Sequence, residues 1–209
     1  MFGQLYDRAL TGERCWVRRD DGRVSRLPVH NWLGGRHADD RFDTTIVDMC
    51  EGPTLDLGCG PGRLVSYLVQ RGVPALGVDL SATAVRLARS SGAPALHRDL
   101  FEPLPGTGRW QTVLLADGNV GLGGDPVRVL GRAAELLRSG GRCLVEFDSA
   151  AIGIDVGWVR LESASTIGPW FKWASVGIDS MPALAAEAGL AVAGIRHIGT
   201  RVVATLAAA

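Results

Sequence analysis

Apolar residues along this chain follow two periods, and the change from one to the other marks its elements. Phe42, Ile46, Val47, Met49 and Cys50 recur mostly at three- and four-residue steps, which predicts an amphipathic helix over 38–50, ended by Gly52-Pro53. The short run Thr54–Leu57 then predicts a buried strand, 58–62 a glycine-rich turn, and 63–71 a helix with Leu64, Val65, Leu68 and Val69 facing inward. The pattern repeats with a strand over Ala75–Asp79, a helix N-capped by Ser81 and running to Ser90, and a strand over 93–97. A fourth strand is predicted at 111–116, a helix at 125–139 stopped by Gly140-Gly141, and a fifth strand at 142–148. After a helix at 180–188 come two more strands, 191–198 and 201–206, joined only by Gly199-Thr200. So short a link forces them antiparallel, because a parallel return needs a crossover. The fold class predicted is therefore α/β: a Rossmann-like, seven-stranded, mostly parallel sheet with an antiparallel C-terminal strand and helices on both faces.

Two segments stand outside this alternation. Residues 14–28 hold two strand-like runs flanking Asp21-Gly22, a pair favoured in tight hairpins, with Arg18, Arg19, Arg23 and Arg26 read as a solvated face. Residues 150–178, rich in glycine and aromatics, predict an inserted hairpin. We expect one domain over 1–209, with 1–52 an N-terminal cap, 53–149 the binding core, 150–178 a second cap and 179–209 the last helix and strands.

Composition narrows the function. At 209 residues, 46% hydrophobic and 21% charged, the chain can bury one sizeable core. Lys+Arg 22 balance Asp+Glu 22, so no overall field favours a nucleic acid or an anionic membrane as partner. Lys172 is the sole lysine, and the wealth of Gly, Ala and Arg suggests a GC-rich bacterial genome. Cys15, Cys50, Cys59 and Cys143 are scattered without a CxxC pair or a partnering His, so neither a metal site nor a disulfide framework is expected. Without a leader-like start or a long apolar run, the expectation is a cytoplasmic protein that does not cross a membrane.

The chemistry centres on Leu55-Asp56-Leu57-Gly58-Cys59-Gly60-Pro61-Gly62. A dinucleotide fold usually wants G-x-G-x-x-G; here the third glycine comes one residue early and Arg63 occupies the sixth position, where its bulk opposes close helix–strand packing. With Asp56 at the strand end, the G-x-G-x-G turn resembles motif I of the class I S-adenosylmethionine-dependent methyltransferases. The resemblance extends to Asp79 at the end of the second strand, where the family binds ribose, to Asp99-Leu100, where it contacts adenine, to Asp117 after the fourth strand, and to the terminal antiparallel pair. It runs from Leu55 to the C-terminus and leaves out 1–37 and 150–178, where this family usually builds its substrate pocket. S-adenosylmethionine is thus the implied cofactor, with Asp56, Gly58, Cys59, Gly60, Gly62, Asp79, Leu80, Asp99, Leu100, Ala116 and Asp117 as its binding residues. The physics agrees: Asp56 or Asp117 complements a sulfonium and an ammonium, Gly58 and Gly60 put no side chain between backbone and ligand, and Asp79 can accept from both ribose hydroxyls. Leu57, Leu80 and Leu100 would wall the adenine.

Methyl transfer from a sulfonium is an in-line displacement that needs alignment and exclusion of water more than any obligatory catalytic group. An acceptor that must lose a proton is helped by a nearby base. His30 and His37, flanking the segment 31–36, are the candidates for that role, whereas His97 and His197 read as structural. Asp117-Gly118-Asn119-Val120 departs from the Asn/Asp-Pro-Pro-Tyr/Phe run of amino-methylating relatives that act on DNA bases, which argues against DNA adenine. Five of six tryptophans (Trp16, Trp32, Trp158, Trp170, Trp173) lie outside the core, suggesting a flat apolar pocket or a dimer surface. Trp32, Asn119, Trp170 and Trp173 are the candidate substrate-binding residues, and the segments around 30–37 and 170–173 should meet over the methyl end of the cofactor. The expected function is methyl transfer to an O or N atom of a small organic acceptor, with specialised metabolism as the expected setting, by a monomer or homodimer. The rivals are a cofactor-binding partner without catalysis, a cyclisation or rearrangement driven by the cation, and an NAD oxidoreductase, against which the displaced glycine counts.

Overall fold

The computed structural model describes residues 3–34 and 40–208. In chain order its elements are α1 (Gly3–Leu10), β1 (Cys15–Arg19), β2 (Val24–Arg26), α2 (Val29–Trp32), α3 (Asp40–Asp48), β3 (Thr54–Leu57), α4 (Arg63–Gln70), β4 (Ala75–Asp79), α5 (Ala82–Ser90) and β5 (Ala95–His97). There follow β6 (Trp110–Leu115), α6 (Pro126–Leu136), β7 (Leu137–Phe147), β8 (Ile154–Ser163), β9 (Phe171–Val176), α7 (Met181–Glu187), β10 (Leu190–Ile198) and β11 (Arg201–Ala208). Seven strands form the main sheet in the order β10-β11-β7-β6-β3-β4-β5. Strands β3 to β7 run parallel, and β11, pairing antiparallel with both β7 and β10, is the one reversed strand. The Gly199-Thr200 link dictates that reversal. This is the Rossmann-like α/β sheet the alternation predicts.

Each face of the sheet is covered by helices whose apolar stripes match it. Val129, Leu130, Ala133 and Leu136 of α6 and Leu184 of α7 pack against Leu55, Leu57, Val113 and Leu115. On the other face Phe42 and Ile46 of α3 join Leu64 and Leu68 of α4 over Leu114, Leu144 and Val203. Caps fix the helix starts: the Ser81 hydroxyl accepts from Ala84 N at 2.9 Å, and the Asp125 carboxylate from Arg128 N at 3.0 Å. One boundary differs from expectation. Helix α6 ends at Leu136 and β7 begins at once, so Gly140-Gly141 lies inside the strand rather than stopping a helix. A Cβ on Gly141 would come within 2.9 Å of the Trp110 and Arg138 carbonyl oxygens, so close backbone approach is what this glycine serves.

The two outlying segments are not separate caps. Strands β1 and β2 pair as the predicted hairpin, and β1 also pairs antiparallel with β8, from Cys15↔Ser163 to Arg19↔Val159, giving a second sheet of order β2-β1-β8-β9. Arg18 and Arg19 bridge at 2.8 Å to Glu162 and Asp155 respectively, across the pairing of β1 with β8; Arg18 stays partly exposed while Arg19 is largely covered, the one departure from the expected solvated face. Cys15 and Leu161 on the inner face are covered by Leu5 and Ala9 of α1, a helix absent from the sequence reading. The second sheet sits over the carboxyl ends of the parallel strands, because Trp173 bridges to Leu122 beyond β6 and Gly177 to Asp148 beyond β7. No helix among the described residues is long and apolar enough to cross a membrane.

Candidate active site

The three glycines after β3 do three different jobs. Gly62, at φ +83°, would drive a Cβ to 2.7 Å from the Ala88 Cβ, so it lets the start of α4 press against α5. Gly58, at φ +76°, would drive one to 2.6 Å from the Asn119 amide nitrogen, which donates to the Leu57 and Gly58 carbonyls at 3.0 and 2.9 Å. Gly60 is buried too, and its missing Cβ lets the Tyr6 hydroxyl approach to 3.3 Å from the Cβ position. The Cys59 side chain is buried against Gly77, leaving only its main chain to offer a ligand.

Beside the turn, Asp79 accepts from Gly60 N at 2.9 Å on one oxygen and from Ser81 N at 2.7 Å on the other. Each oxygen keeps a lone pair for a hydroxyl. Burial pushes the Asp79 carboxyl up from its ordinary pKa against the pull of these two amides. Leu80, next along, is 61% exposed, an uncovered apolar surface beside Asp79. Asp99 accepts from Phe101 N at 2.9 Å through one oxygen. Leu100 lies at the rim of the core and Ala116 within it; Leu57 is fully buried and is no wall of the adenine site. Asp56 is 3% exposed and makes no hydrogen bond or ion pair among the described residues. Burial first, then the charges of Asp117 and Asp79, push its carboxyl up to about 8. An exposed leucine, carboxylates with free lone pairs and a buried acid without a hydrogen bond together fit an adenosyl sulfonium.

The far end of the cleft is a network of charges. Asp117, held at φ +54°, gives its N–H to Glu146 at 2.6 Å and accepts Arg201 Nη2 and Arg63 Nη2 on separate oxygens, each at 2.7 Å. Arg201 also donates through Nε and Nη2 to Glu146 and lies 3.3 Å over the Phe42 ring. Arg63 completes the chain by pairing with buried Asp43 of α3. Around this network lie two cavities. The larger, of about 330 Å³, is bounded by Pro28, Asn31 and Trp32 together with Arg63, Asp117, Glu146 and Arg201. The smaller, of about 170 Å³, lies between Asp117, Glu146 and the β9 stretch from Trp173 to Val176.

Several sequence candidates are relocated by this geometry. Trp32 and Trp173 come to the site, one in each cavity. Trp170 does not: it lies just ahead of β9, bounds neither cavity, and sits under the Arg160 guanidinium at 4.5 Å. Asn119 is a brace of the glycine turn, its amide N–H groups spent on main-chain oxygens. His30 is exposed on α2 and does not bound either cavity, because Asn31 and Trp32 take the inward positions of that short helix. His37 lies outside the described residues. Four residues were missed: Tyr6, Glu146, Arg201, and Arg63 as a site residue. Tyr6 stands over Gly60 with its ring 5.8 Å from that of Trp32, and burial raises its phenol well above the ordinary range, so it stays protonated. Leu5, Ala9 and Leu10, at helical spacing, were the available signal for α1.

Residues 54–141 match the profile of a family described as a methyltransferase domain. No curated protein matches the chain. Among solved structures, an S-adenosylmethionine-dependent methyltransferase from Bacteroides fragilis, in complex with S-adenosyl-L-homocysteine, superposes with TM-score 0.80 at 20% identity, covering 98% of this chain and 91% of its own. The 1,6-didemethyltoxoflavin N1-methyltransferase of Burkholderia thailandensis gives 0.59 at 19% identity, covering 85% and 84%. A sugar N-methyltransferase from a Streptoalloteichus species gives 0.62 at 15%, covering 86% and 91%. The matched segment carries the glycine turn, Asp79, Asp99 and Asp117, so residues 54–141 are similar to a methyltransferase domain, and the chain as a whole has the fold of S-adenosylmethionine-dependent methyltransferases.

Proposed function

We propose that this methyltransferase moves its methyl group to an O or N atom of a small organic acceptor bound between Trp32 and Trp173. The observation that carries the reading is the pair of cavities, about 330 and 170 Å³, meeting at Asp117 and Glu146 just past the strand ends. Such volumes suit a small molecule and are too confined for a polymer. Bound S-adenosylmethionine would supply an electrophilic methyl, held by Gly60, Asp79, Leu80 and Asp99 on the adenosyl side. The chain's own part is to position and to exclude water: Trp32 and Tyr6 close one side of the cleft, β9 the other, and Asp117 and Glu146 present the carboxylates nearest an acceptor that must shed a proton. On this reading residues 1–52 and 150–178, joined in the second sheet, act as one cap over the 53–149 core. The toxoflavin and sugar enzymes of like fold are N-methyltransferases by description, which makes amines and ring nitrogens the first acceptors to test.

The test incubates the protein with S-adenosylmethionine and a panel of amines, N-heterocycles, phenols and carboxylic acids, scoring a methyl-sized mass gain by mass spectrometry. Tight NAD binding without response to S-adenosylmethionine or S-adenosylhomocysteine would sink the proposal.

A further inference from the structure

Three carboxylates, Asp117, Glu146 and Asp148, bound the smaller cavity, and two of them are already paired. Each Asp117 oxygen accepts one guanidinium, and Glu146 accepts Arg201 Nε and Nη2. Asp148, the residue directly after β7, has no basic partner among the described residues. One of its oxygens accepts from Ala150 N and Ala151 N at 2.9 and 3.2 Å, and the other from the Ser175 hydroxyl at 3.2 Å. Its main chain is fixed as well, with the N–H donating to the Val176 carbonyl at 2.9 Å and the carbonyl accepting from Ile178 N at 3.3 Å. The carboxylate is therefore a placed charge without a counterion.

The rest of the wall has the same preference. No basic side chain bounds this cavity; Arg63 and Arg201 reach Asp117 and Glu146 from the larger one. Trp173 and Ser175 alternate on one face of β9, their Cα atoms roughly 7 Å apart, so the indole and the Asp148 that Ser175 holds flank the same space. An aromatic face and an unpaired carboxylate both attract a cation.

Resting on the methyl-transfer reading above, we propose that the acceptor is an amine whose nitrogen sits between the Asp148 carboxylate and the Trp173 ring, and that Asp148 selects amines over phenols and carboxylic acids. The charge balance of the reaction supplies the reason. An amine nitrogen forms the bond to the methyl carbon with its lone pair while the carbon–sulfur pair stays on sulfur, so the positive charge that leaves sulfur arrives on nitrogen, and the new ammonium then sheds a proton to water. Asp148 and Trp173 stabilise that arriving charge. A phenolate or carboxylate acceptor instead brings a negative charge into a cavity of like sign, where it is repelled.

Calorimetry on protein saturated with S-adenosylhomocysteine tests this, using benzylamine and phenethylamine as cations, benzyl alcohol as the neutral shape and benzoate as the anion. The wild type should bind an amine about fivefold or more tighter than the alcohol and refuse benzoate. Asp148→Asn keeps an oxygen for the Ala150 and Ala151 amides and should lose about fivefold or more in amine affinity with S-adenosylhomocysteine affinity unchanged, while Asp148→Glu recovers part of the loss. Thermal melting verifies folding; should Asp148→Asn fail to fold, the wild-type ranking of the four probes decides alone. No preference for an amine, or an Asp148→Asn protein that keeps it, overturns the proposal. So does a screen in which phenols or acids gain a methyl and amines do not, although methyl transfer itself then stands. A wild-type protein that takes up no S-adenosylhomocysteine refutes the methyl-transfer reading instead, and the ranking of the probes on the unliganded protein then decides the cation site.

Discussion

Asn119→Ala distinguishes a brace from a ligand contact. The Asn119 amide donates to the carbonyl oxygens of Leu57 and Gly58 at 3.0 and 2.9 Å, tying the loop after β6 to the glycine turn after β3. Each such bond contributes roughly 0.5–1.5 kcal/mol net, so losing both removes about 1–3 kcal/mol of stability. For a domain of this size that is a fall in melting temperature of roughly 2–12 °C. The turn also loses the group that packs against Gly58, so its main chain is less firmly held and affinity for S-adenosylhomocysteine falls with stability. Differential scanning fluorimetry and calorimetry read the two effects. Were Asn119 instead an acceptor contact, melting temperature and cofactor affinity would match the wild type and only the acceptor KM would rise; that result refutes the reasoning.

Three other outcomes follow from the site. Asp56, raised to about 8 when folded, keeps a proton that the unfolded chain sheds near pH 4, so its contribution to stability is full below that pH and is lost as pH rises through about 8. A bound cation favours its ionised form, so cofactor binding should release protons and tighten with rising pH up to about 8; calorimetry in buffers of different ionisation enthalpy should detect the release, and Asp56→Asn should abolish it. Asp79→Ala, verified as folded, should weaken S-adenosylhomocysteine about tenfold or more, since a charge-assisted bond contributes roughly 1.5–3 kcal/mol; wild-type affinity would mean the ribose sits elsewhere. Trp173→Ala should lower turnover with little change in cofactor affinity while Trp170→Ala leaves both intact, and equal effects from the two would contradict the placement of Trp173 alone at a cavity.

The cofactor half of the site was legible because its residues are close in sequence and their spacing is the chemistry. A strand end, three glycines and a carboxylate on the next strand must adjoin in any parallel β-α-β unit, so Asp56, Gly60 and Asp79 fall together without knowledge of the rest. Even there the glycines look alike in sequence, and only packing separates Gly60, set against the Tyr6 hydroxyl, from Gly62, pressed on Ala88. The reversed strand β11 was legible for a similar reason, since two residues cannot carry a crossover.

The acceptor half was not, because nothing local announces it. Asp43, Arg63, Asp117, Glu146 and Arg201 come from five separate elements and loops, each in an unremarked context. Arg63 was weighed only as bulk at a glycine position, yet its long side chain reaches from the start of α4 to Asp43 and Asp117. Charges this deep are seldom retained for stability, because removing them from water offsets most of what their pairing contributes. Their effect is geometric instead. Asp117 is fixed from three sides, by Arg63, Arg201 and its own N–H to Glu146, and a side chain so fixed cannot turn away when a cation arrives beside it. The same bonds commit Arg201 Nε and Nη2, so the arginine is oriented together with the carboxylates it holds. Such a site can be recognised only once the sheet order has brought β3, β6, β7 and β11 side by side.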